Sequence, residues 1–139
     1  MVAEFDKSLA PSPRESMHSE LLLTLNKGEI TSSSDGLGHT FEIAGWFKLK
    51  NTHDLPALLI MEQSTQQNEL WYLIDTARVS SRKGVVLMSG RVETKETRIA
   101  QINLYLCHPN PDITIDVDEL RFNGQMYRKD FVEAMPAAG

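Results

Sequence analysis

The chain has 139 residues, 41% of them apolar and 24% charged, the size and balance of one ordinary globular domain. Its formal charge of −5 disfavours nonspecific binding to nucleic acid, which rests on neutralising phosphates. The single cysteine, Cys107, excludes an intramolecular disulfide, and no CxxC pair is present to hold zinc.

Residues 1–18 contain Pro11, Pro13, several serines and mixed charge with no apolar period. They read as a disordered leader with nothing to bury, dispensable for folding. Ser12-Pro13 has the form of a phosphorylation site, which in a disordered tail carries little weight. Met1 to Glu20 lacks the apolar run of a signal peptide. No stretch of about 18 consecutive apolar residues exists, so no membrane insertion is expected and the cytoplasm is the expected compartment.

From Glu20 onward, short apolar runs alternate with turn-rich breaks. Leu21, Leu23 and Leu25 share one face of a first strand if the period is two, and Lys27-Gly28 ends it. Residues 31–40, TSSSDGLGHT, form a loop by composition. Phe41, Ile43, Phe47 and Leu49 then alternate with Glu42, Lys48 and Lys50, with Gly45 interrupting the apolar face. Pro56 suits a strand start. Ala57 to Met61 and Leu70 to Ile74, separated by the polar residues 63–68, predict a hairpin.

Val85 to Val92 follows the Arg82-Lys83-Gly84 turn. Arg98 to Cys107 places Ala100, Ile102, Leu104 and Leu106 on one face and Gln101, Asn103, Tyr105 and Cys107 on the other. After the turn His108 to Asp112, Ile113, Ile115 and Val117 alternate with polar residues. Asn123-Gly124, between Leu120–Phe122 and Gln125–Tyr127, predicts a hairpin with a type I′ turn. Asp130 to Met135 predicts at most one short C-terminal helical turn.

About eight strand segments at this spacing predict an all-β fold, a single-domain antiparallel β-barrel or β-sandwich. The β domain runs over 19–135, and 136–139 form a flexible tail.

Four groups of residues carry chemistry, each with a blander counterpart. Trp46 and Tyr105 fall on the polar faces of their strands, and Trp71 shares a face with Leu73 and Asp75. If those faces adjoin, Trp46, Trp71 and Tyr105 with Gln101 and Asn103 form a binding surface, with at least two rings exposed. The alternative is a second small core. Asp112, Asp116, Asp118 and Glu119 supply oxygen donors, but a calcium-loop pattern is absent and a solvated edge explains them. Arg78, Ser80, Ser81, Arg82 and Lys83 could cradle an anion on backbone amides, or be the solvated end of a hairpin.

Cys107 and His108 could be nucleophile and base, but adjacent strand residues point to opposite faces. There is no HExxH and no GxSxG. The residues therefore favour a non-enzymatic module binding a protein partner or copies of itself, with no cofactor and no metal. A β-barrel binding a small apolar or anionic ligand is the alternative, and an enzyme of unknown class ranks third.

Overall fold

The computed structural model describes residues 3–30, 38–66, 68–78, 85–95 and 98–127. Among them are nine strands: β1 (Ala3–Asp6), β2 (His18–Asn26), β3 (His39–Lys50), β4 (Pro56–Ser64), β5 (Glu69–Arg78), β6 (Val85–Thr94), β7 (Gln101–His108), β8 (Thr114–Phe122) and β9 (Gln125–Tyr127). They form two antiparallel sheets, a five-stranded one in the order β1-β5-β4-β7-β2 and a four-stranded one in the order β6-β3-β8-β9. Neither sheet closes on itself, so the fold is a sandwich and not a barrel.

Alternation explains the core. On β3, Phe41, Ile43, Phe47 and Leu49 are buried while Glu42, Trp46, Lys48 and Lys50 are exposed, as a half-buried strand requires. These side chains interlock with Leu59, Met61 and Tyr72 of β4 and β5 and with Ile102, Leu104 and Leu106 of β7. Phe122 of β8 packs on Phe41, with ring centroids 5.3 Å apart. Pro56 starts β4, where its missing N–H costs least.

Bulges correct two expected alignments. Between Leu21 and Leu23 the β2–β7 register slips by one residue. A bulge turns the following side chains over, so Leu21 is exposed while Leu22 and Leu23 pack on the core with Leu25. The β4–β5 register slips likewise between Leu59 and Ile60. Asp75 does not continue the face of Trp71 and Leu73; its carboxylate accepts a 2.9 Å hydrogen bond from the Ser89 N–H of β6.

The hairpin at Asn123-Gly124 has the expected form. Both residues have positive φ, 51° and 82°, which is the type I′ signature. Asn123 also ties the turn to β3: its N–H donates to the Glu42 carbonyl at 2.8 Å, and its Oδ1 accepts from the Glu42 N–H at 2.7 Å. A Cβ at Gly124 would meet nothing within 4 Å, so a substitution there is penalised by backbone conformation alone. Gly124→Val is expected to lower stability by about 1 kcal/mol in urea denaturation; a neutral result would show that the turn tolerates another geometry.

The segment expected to be a disordered leader differs most. Residues 3–6 add a ninth strand on β5, with Phe5 opposite Trp71. After a turn on the Asp6 carbonyl, Pro13–Glu15 form a single 3-10 turn leading into β2. The helical turn expected over 130–135 and the tail lie outside the described residues.

Candidate functional site

The outer face of the five-stranded sheet is apolar at its centre. Ile60 of β4, Trp71 of β5 and Cys107 of β7 are buried there, with Leu58, Leu73 and Tyr105 beside them. Residues 3–6 extend this sheet as β1 at the β5 edge, and the chain from Lys7 to Met17 crosses the face as a strap to β2 at the opposite edge. Phe5 stacks on Trp71 with centroids 4.2 Å apart and planes 16° from parallel. The indole Nε1–H of Trp71 donates to the Ala10 carbonyl at 2.8 Å.

The polar anchor of the strap is Glu62, which continues the apolar run of β4 on its outward side and is only 5% exposed. Its Oε1 accepts from Lys7 Nζ at 2.6 Å; its Oε2 accepts from Ser12 Oγ at 2.7 Å and Arg14 Nε at 2.8 Å. Burial alone would raise this carboxyl's pKa, but the three donors outweigh it and hold the group below the ordinary carboxylate value. Arg14 also lies over the Tyr105 ring, 5.0 Å from its centroid, in cation–π contact. None of Phe5, Lys7, Arg14 and Glu62 stands out in the sequence as a site, and Ser12 does so only as half of a Ser-Pro pair. The available signal was a carboxylate inside an apolar strand, which needs cationic partners.

The structure therefore divides the five residues proposed as one aromatic face. Trp71, Tyr105, Gln101 and Asn103 share the outer face of the five-stranded sheet, whereas Trp46 lies on the outer face of the other sheet. Trp71 is 7% exposed under the strap, Tyr105 is half-buried, and only Trp46, at 41%, is open to solvent. Gln101 and Asn103 are joined in a chain across β2 and β7. Thr24 Oγ1 donates to Asn103 Oδ1, Asn103 Nδ2 to Gln101 Oε1, and Gln101 Nε2 to Asn26 Oδ1. Their amides serve sheet cohesion.

Around Trp46, the side-by-side register places Leu87 of β6 opposite it and Val85 opposite Lys48. Leu87 and Val85 are 45% and 48% exposed. On the other flank, Glu119 opposes Trp46, Arg121 opposes Ala44 and Asp116 opposes Lys48. The result is an apolar centre within a charged rim of both signs.

The acidic row is spread out: Asp112 lies in the turn before β8, and Asp118 falls where the β3–β8 register slips. No cluster of three potential metal ligands occurs among the described residues. Arg78 ends β5 and is exposed; Ser80, Ser81, Arg82 and Lys83 lie outside the described residues.

Cys107 is fully buried, and loss of solvation pushes its thiol pKa up to about 12, so it is no nucleophile at neutral pH. His108 is buried and structural. The Asn110 N–H donates to Nδ1 at 3.0 Å, which leaves the ring proton on Nε2, 3.2 Å from the Leu55 carbonyl. Burial lowers its pKa and keeps it neutral. It fastens the turn after β7 to the one before β4, where Asn51, His53 and Asp54 all have positive φ. No family model, no curated protein and no solved structure matches the chain.

Proposed function

We propose that the chain is a non-enzymatic binding or assembly module that engages a partner protein or a second copy through the outer face of the four-stranded sheet. The observation that carries this reading is the exposed group of Trp46, Leu87 and Val85 on adjacent strands. An apolar centre containing tryptophan within a charged rim has the composition of a protein interface. Leaving such a group in water gains nothing for the fold, because the core is complete beneath it.

The test is Trp46→Ala. An exposed ring contributes little to folding, so stability should change by no more than about 0.5 kcal/mol. Self-association, read as solution mass over a concentration series, should weaken. If Trp46→Ala instead costs about 3–5 kcal/mol, as for a core aromatic, with no separate effect on association, the reading fails.

A further inference from the structure

The strap is held by side-chain contacts and by the backbone ladder of β1, not by chain connectivity. Among the described residues, the strap is fixed on β4, β5 and β7: Phe5 to Trp71, Glu4 to Tyr72, Ala10 to Trp71, Lys7, Ser12 and Arg14 to Glu62, Arg14 to Tyr105, and the β1 ladder to β5. Its covalent link to β2 is only Glu15, Ser16 and Met17, coiled in a turn whose hydrogen bonds are local, from Glu15 N–H to the Ser12 carbonyl and from Ser16 and Met17 N–H to the Pro13 carbonyl. Opening that turn breaks only these local hydrogen bonds and the packing of Met17 on the outer-face cluster, and it lengthens the link. Pro11 and Pro13 favour the extended chain that results, and Ser12 between them already has φ −64° and ψ 142°.

When the strap leaves, an aromatic face and the Glu62 carboxylate are uncovered together. A generic apolar surface cannot satisfy that carboxylate. A segment with an aromatic on Trp71 and cations at the positions of Lys7 and Arg14 can, and residues 3–14 of another copy have all three at the right spacing. We infer that this face is a docking groove for the N-terminal strap of a second copy, occupied in cis by the chain's own strap and open to exchange in trans. The contacts are the same in both arrangements, so mass action selects between them. A short link gives the cis strap an effective concentration of the order of mM, and exchange becomes visible when cis docking is disabled or the protein is concentrated.

The experiment uses two full-length chains, both carrying Trp46→Ala so that the four-stranded face does not contribute and Trp71 is the sole tryptophan. One adds Phe5→Ala and Arg14→Ala, leaving a sound groove and a defective strap. The other adds Glu62→Ala and Trp71→Ala, leaving a sound strap and a defective groove. Each alone should be monomeric. Their equimolar mixture should double in mass, and Trp71 emission should shift to shorter wavelength as the foreign strap covers it. A mixture that keeps the monomer mass and the unshifted emission overturns the inference. A second arm guards against misfolding of the groove variant: the Trp46→Ala chain is refolded at about 1 mM, near the cis effective concentration. It should yield a dimer that reverts on dilution, and the Phe5→Ala, Arg14→Ala version should yield several-fold less. Equal dimer from both, or dimer from neither, overturns it. Because Trp46 is absent throughout, these outcomes are independent of the function proposed above.

Discussion

Phe47→Ala is expected to destabilise the protein by about 3–5 kcal/mol, the range for deleting a buried aromatic. Phe47 is fully buried on β3, and its ring fills the space over Gly45. A Cβ at Gly45 would come within 2.4 Å of the Phe47 Cζ. The glycine that interrupts the apolar face in the sequence is thus where the ring lies. Alanine at 47 leaves a cavity that β3, held between β6 and β8, cannot collapse to fill. Against a typical total stability of about 5–15 kcal/mol, this is a large share. Urea denaturation is the measurement, and the neighbouring Trp46→Ala is its internal control. A similar effect at both positions would mean that β3 does not present alternate residues to core and solvent.

The second large effect is expected at the strap. Lys7→Met with Arg14→Met leaves the Glu62 carboxylate buried with only the Ser12 hydroxyl as donor. Stranding a buried charge in this way costs about 3–5 kcal/mol. The loss is capped by the free energy of lifting the strap, since detachment returns Glu62 to water. The expected signature is therefore local: a red shift of tryptophan emission and rapid proteolysis between Asp6 and Ser16, with the sandwich still folded. Unchanged emission and proteolysis would contradict the assigned anchor. Acid should act on the wild type in the same direction. The carboxyl titrates lower in the folded protein than its ordinary value of 4.5, so its contribution is complete above that value and is lost as the pH falls below it. Glu62→Gln should flatten this dependence.

What was legible in the sequence had local causes. The faces of β3, the start of β4 at Pro56 and the turn at Asn123-Gly124 each follow from residues within a few positions of one another. The burial of Trp71 and the bulge after Leu21 do not. A bulge depends on which partner strand is paired, and one inserted residue reverses every later side chain. The strap was missed because its partners lie far along the chain, Lys7 and Glu62 being separated by 55 positions. The leader does lack an apolar period, but that pattern could not show that one phenylalanine and two cations suffice when a ring and a carboxylate await them. Trp46 was placed correctly because alternation alone decides its face. Its separation from Trp71 required knowing which sheet each strand joins.

The pairing pattern also has a consequence for synthesis. The two N-terminal strands find their partners late: β1 needs β5, and β2 needs β7. During translation β2 therefore emerges with Leu21, Leu22, Leu23 and Leu25 uncovered and waits until Gln101–His108 has been made. Pairings of such long sequence separation make folding slow, of the order of milliseconds to seconds for all-β domains, and leave a leucine-rich edge open to aggregation meanwhile. The hairpin β4–β5, whose strands are close in sequence, can form first and offers β7 its place. The strap closes over the outer face only once β4, β5 and β7 are assembled, so the first residues made dock after strands that follow them by some fifty to a hundred positions.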